Sequence, residues 1–82
     1  MPTILILFGL RFYFYVKDHK PIHIHIESND GEAKFEIESE IVLVYNHGLK
    51  LKDIRLVQSI LEENKEIFIN EWKRIIENED RA

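Results

Sequence analysis

The sequence contains no cysteine, one tryptophan, one methionine, two prolines and three glycines in 82 residues. Without cysteine, neither a disulfide framework nor a thiolate metal site is available, and nothing points to an oxidising compartment. The apolar run from Ile4 to Phe8 is too short to span a bilayer and lacks the basic flank and cleavage site of a signal peptide. The expectation is therefore a cytoplasmic protein with no membrane contact. An excess of basic residues is also missing. Lys and Arg number 11 against 15 Asp and Glu, a net charge of −4, so the whole molecule offers no attractive field to a nucleic acid, and any such binding must use a local basic patch. A hydrophobic content of 45% excludes disorder, and the length allows one domain, 1–82, with a single modest core.

What is present is periodic. From Thr3 to Asn46 apolar residues recur at every second position, interrupted by turn residues, which predicts consecutive antiparallel strands near 3–8, 11–17, 22–27, 32–38 and 41–46. Gly9-Leu10 suits a II′ turn, and Gly31 can supply a positive φ at the end of the Ser28 to Gly31 loop. Beyond Gly48 the spacing changes to threes and fours at Ile54, Val57, Leu61, Phe68, Trp72 and Ile75. No Gly or Pro lies between Leu51 and Asn78, so one long helix is the favoured reading, with two helices abutting near Asn64 as the other. The fold class is α+β, an antiparallel meander of five strands with helix packed on one face. If one long helix overhangs the sheet, Trp72 and Ile76 would need a covering surface.

Residues paired across an antiparallel ladder share a face, so the alternation also assigns neighbours. Pairing Glu27 with Glu32 places His25 opposite Lys34 and His23 opposite Glu36. Pairing Val16 with Ile24 places Tyr15 beside His25 and Lys17 beside His23. Phe12, Phe14, Val16, Ile22, Ile24, Ile26, Ala33, Phe35 and Ile37 then form the dry face. The opposite face carries Arg11, Tyr13, Tyr15, Lys17, His23, His25, Glu27, Glu32, Lys34 and Glu36, flanked by Ile4, Ile6 and Phe8 on one side and by Ile41, Leu43 and Tyr45 on the other. Those apolar flanks imply a covering partner, either a second copy or a small cognate protein.

The stretch DHKPIHIHIE, residues 18–27, concentrates the candidate chemistry. His23 and His25, two apart on a strand, point to one side and can share a zinc or similar ion with His19 or Glu36 as further ligands. Lys17 and Lys34 beside them oppose this, because an ammonium about 5 Å from a divalent ion repels it by roughly 6–7 kcal/mol at an effective dielectric near 20. The same lysines favour an anion. His23, His25, Lys34 and Tyr15 can surround a phosphate, one imidazole taking a proton from a ribose hydroxyl and the other giving one to the leaving oxygen, which is the chemistry of a metal-independent ribonuclease. No cofactor is required for that reading. Further anion or nucleic-acid contacts would come from Lys17, His19 and Arg11, and from Lys50, Lys52 and Arg55 near the helix start. Tyr13 and Tyr15 can stack on bases or pack across strands, and His47 reads as a loop residue. The plainest alternative is an exposed strand face that merely happens to carry histidines.

Asp18-His19, Pro21, His23 and His25, then Gly31-Glu32-Ala33-Lys34, then a helix with Trp72, resemble over nearly the full length a prokaryotic domain-of-unknown-function family, family 4160, with D-H-x-P-x-H-x-H and G-E-A-K segments. The chain departs at Ile22, where a second proline would be expected. The resemblance implies a component of a toxin–antitoxin-like pair, encoded beside another small domain. The reading is thus a partner-binding protein with RNA-directed activity, or, from another class, a non-catalytic metal- or anion-binding interaction module.

Overall fold

The computed structural model describes residues 3–15 and 20–77. Five strands, β1 (Thr3–Leu7), β2 (Leu10–Tyr13), β3 (His23–Ser28), β4 (Gly31–Glu36) and β5 (Val42–His47), form one antiparallel sheet in sequence order. Two helices follow, α1 (Leu51–Glu63) and α2 (Lys65–Trp72), and then a π-helical turn, Lys73–Glu77. The α+β meander is as the periodicity implies.

The helical segment follows the second of the two readings, with a break at Asn64. Asn64 leaves helical geometry (φ −122°, ψ 23°), and its side-chain amide donates to the Ile60 carbonyl at 2.9 Å. A polar side chain bonding back to the preceding turn competes with the helical ladder, which is how a break arises without Gly or Pro. The break lets the second segment stay on the sheet, so Trp72 and Ile76 are buried and need no external cover. The π-helical turn places Ile76 in the core stripe four residues after Trp72, while Ile75 is only partly buried at its edge.

The core lies between the helices and one face of β2, β3 and β4. Phe12, Phe14, Ile22, Ile24, Ile26, Ala33, Phe35 and Ile37 meet Ile54, Val57, Leu61, Phe68, Trp72 and Ile76 in one cluster. Phe12 and Phe68 stack across the layers with centroids 5.7 Å apart. Val16 lies outside the described residues. The β5–α1 connection is closed by a reciprocal pair, Leu49 N–H to Asn46 Oδ1 and Asn46 Nδ2 to the Leu49 carbonyl, both 2.9 Å. Gly31 belongs to the same junction, since a Cβ there would fall on the His47 carbonyl oxygen.

Three details of the ladder differ from the expected one. First, the β1–β2 turn is Phe8-Gly9 and not Gly9-Leu10; both residues have positive φ (55° and 76°), as a I′ turn requires. Second, β2 pairs with β3 through Tyr13↔His25 and Phe12↔Ile26, two residues away from the expected register of Tyr15 with His25. A slip of two preserves both faces, so hydrophobic alternation does not resist it. Third, irregular pairing leaves Ile4 extra between Thr3 and Leu5, and Val44 extra between Leu43 and Tyr45. Each such bulge reverses the facing beyond it. Ile4 and Ile41 therefore pack against the core, and Leu43 pairs with Phe35 on the core side. Only Ile6, paired with Arg11, and Tyr45, paired with Lys34, keep their expected face; Phe8 sits exposed in the turn.

The position of Phe68 under Phe12 generates a stability prediction. Phe68→Ala should lower the unfolding free energy by about 3–5 kcal/mol in urea titration. Ile67→Ala, at a side chain 60% exposed one residue away, should change it by less than about 0.5 kcal/mol. Equal effects of the two would contradict the assigned helix face.

Candidate functional site

On β3, isoleucine and histidine alternate, so burying Ile22, Ile24 and Ile26 turns His23 and His25 to the side away from the helices. Neighbouring strands complete that side. Tyr13 and Lys34 flank His25, Glu36 lies opposite His23, Arg11 opposite Glu27, and Tyr45 opposite Lys34.

The rings in the middle form one connected cluster. Tyr13 stacks on His25 at 5.2 Å between centroids, Tyr15 meets His25 edge-on at 4.7 Å and Tyr13 edge-on at 5.5 Å, and His23 meets His25 edge-on at 5.1 Å. Offset and edge-to-face contacts of this kind are each worth about 0.5–1.5 kcal/mol beyond area burial. Tyr13 is fully buried, and His23 and His25 retain only 7% and 8% exposure, so the expected wet platform is in fact a second packed layer. Tyr15, at 45% exposure, is the ring that opens this layer to solvent. Tyr13 thus serves packing, and Tyr15 is the better placed of the two to meet a ligand.

His23 is oriented by the chain just before it. Its Nδ1–H donates to the Pro21 carbonyl at 2.9 Å, two residues back, which leaves Nε2 as the basic nitrogen of the neutral ring. Arg11 is engaged on two sides: its Nη2 donates to Glu27 Oε1 at 2.7 Å, and the guanidinium carbon lies 4.4 Å from the Tyr13 ring centre. It therefore buttresses the cluster. Lys34 stands between His25 and Tyr45 on the ladder. Lys50, Lys52 and Arg55 sit at the start of α1 and not on the ring-bearing strands, with Lys50 Nζ 4.0 Å from Asp30 in the β3–β4 turn. Lys17 and His19 lie outside the described residues. Among the described residues no three His, Cys, Asp or Glu side chains stand together as a metal-ligand set.

The sequence reading missed a second ring pair. His47 is the last residue of β5, not a loop residue, and it stacks on Tyr45 at 4.5 Å. The two are two positions apart in a strand with period two, which is the signal that would have found them. They extend the aromatic surface past Lys34 to the sheet edge.

Both buried-side phenols are held protonated. Tyr13 is pushed well above its ordinary value, by burial first, then by its hydrogen bond with Tyr15 and the negative charges around it. Tyr45 shifts the same way, through burial, then Glu32 and Tyr15.

A small antiparallel-sheet domain with helices on one face and a histidine–tyrosine cluster on the other is the class that this geometry defines. The chain belongs to a family described as a domain of unknown function, DUF4160, whose model matches residues 9–73. No curated protein and no solved structure matches it. No helix among the described residues is long and apolar enough to cross a membrane.

The raised phenols make stability depend on alkaline pH. A group whose folded pKa exceeds its unfolded value stabilises the fold below the unfolded pKa, and that contribution disappears as pH rises through the folded one. Urea stability should therefore begin to fall as pH rises past the unfolded tyrosine value of about 10 and go on falling above it. The fall should be smaller in Tyr13→Phe, and an identical slope in the two proteins would count against Tyr13 as its source.

Proposed function

We propose that this protein is the partner-binding member of a toxin–antitoxin-like pair in the cytoplasm and that it acts on RNA, without a metal, through His23, His25, Lys34 and Tyr15. The pairing with a small cognate protein follows from what the family resemblance implies, and a second copy is the other partner that an exposed apolar surface would take. The RNA-directed part rests on one observation, the gathering of two histidines and a half-exposed tyrosine into a single ring cluster with Lys34 next to His25.

In this reading His23, with Nδ1–H fixed on the Pro21 carbonyl, takes the proton of a ribose 2′-hydroxyl at Nε2. The hydroxyl oxygen attacks the adjacent phosphorus, and protonated His25 gives its proton to the departing 5′-oxygen. The products are a 2′,3′-cyclic phosphate and a free 5′-hydroxyl. Lys34 stabilises the negative charge that builds on the phosphoryl oxygens, and Tyr15 supplies an aromatic face for a neighbouring base.

The near-complete burial of both imidazoles favours a second reading, a non-catalytic anion-binding interaction module in which the cluster is structural and only Tyr15 and Lys34 meet the ligand. Cleavage of a mixed single-stranded RNA in EDTA separates the two. The catalytic reading expects cutting with a bell-shaped pH dependence, reduced about 10²–10⁴-fold in His25→Ala while the circular dichroism spectrum stays native. Failure of the wild-type protein to cut RNA, together with phosphate binding that needs Lys34, would leave the interaction module.

A further inference from the structure

The sheet ends on one side at β5, and the character of that strand points to its occupant. Val42, Leu43 and Val44 are 43%, 40% and 45% exposed, three successive apolar residues where plain alternation would show every second one. Soluble proteins usually guard an edge strand with lysine, proline, a bulge or an inward-pointing charge. β5 has the Val44 bulge but none of the others, and from Ile41 to Leu49 there is no Asp, Glu, Lys or Arg. The opposite edge strand, β1, is also uncharged and exposes Ile6, but its Ile4, Leu5 and Leu7 pack against the core, and it lacks the oppositely charged ends that β5 has.

Charge is instead placed at the two ends of the strand and with opposite sign. Exposed Glu38 and Glu40 precede β5, while exposed Lys50 and Lys52 follow it. A strand that is acidic at its start, neutral in the middle and basic after its end is complementary to itself when run antiparallel: the acidic end of each copy meets the basic end of the other. A partner with uniform charge would match only one end.

We infer that two copies of this chain associate by antiparallel pairing of β5 with β5, about a two-fold axis near Val44, to form one continuous ten-stranded sheet. The inference rests on the partner-binding part of the proposed function and identifies its surface. A two-fold axis normal to the sheet keeps both copies in the same sense, so the two Tyr45–His47 pairs flank the junction and the two ring clusters lie on one face of the joined sheet. The helices of both copies cover the other face.

Light scattering over a dilution series, beside circular dichroism, provides the test. The wild type should show twice the chain mass. Val44→Lys should raise the dissociation constant by about a hundredfold, because one lysine from each copy enters the same apolar junction. Since the chain has no cysteine, Val44→Cys introduces a single thiol near the axis, and an added disulfide oxidant should link two copies. Leu51→Cys, exposed at the start of α1, should link far more slowly. The cross-link decides if Val44→Lys unfolds. A monomeric wild type, a dimer unchanged by Val44→Lys in a folded protein, or equal cross-linking from both cysteine positions overturns the inference. RNA cleavage by a monomer would remove this surface and leave the catalytic reading standing, whereas a β5-linked dimer that cuts no RNA would do the reverse.

Discussion

The alternation of isoleucine and histidine on β3 ties the two sides of this molecule together. Each isoleucine that enters the core sends its neighbouring histidine to the opposite side, so the helix-covered layer and the ring cluster share one backbone. Strand neighbours then complete both layers at once. Phe12 and Tyr13 are adjacent in β2, as are Lys34 and Phe35 in β4, and in each pair one side chain serves the core and the other the ring-bearing face. A rearrangement of the core that changed strand facing would dismantle the cluster as well.

The cluster itself is more than a decorated surface. Fully burying a tyrosine and nearly burying two histidines on the side without helices carries a desolvation cost for their polar atoms, which the ring contacts and the Pro21 carbonyl offset. Arg11 closes one margin by resting on Tyr13 while holding Glu27. On this part of the face Tyr15 is exposed, with Lys34 and the Tyr45–His47 pair beyond it.

The edges carry a different logic. Bulges at Ile4 and Val44 each change which side chains face the core, yet with opposite outcomes. At β1 the change draws Ile4 inward and strengthens packing. At β5 it leaves three successive apolar residues partly exposed.

Much of this architecture was legible in the sequence because hydrophobic alternation reports facing directly. Period two marked five strands and separated Phe12, Ile24 and Phe35 from Tyr15, His25 and Lys34; the Glu27–Glu32 pairing followed from a short turn that left little freedom of register. Where the loop was longer, between β2 and β3, alternation permitted any slip of two, and only packing selected Tyr13 as the partner of His25. Bulges add a residue without a compositional mark, so the facing of Leu43 and Ile41 was invisible until the ladder was formed. The helix break depends on one Asn64 side chain bonding back to Ile60, a local bond that competes with helix only when burial of Phe68 and Trp72 rewards the bend. The sequence alone determined which residues share a face, because that is a property of the strand backbone. The tertiary structure decided which of them touch and which are dry, because register, bulges and burial depend on contacts between residues far apart in the chain.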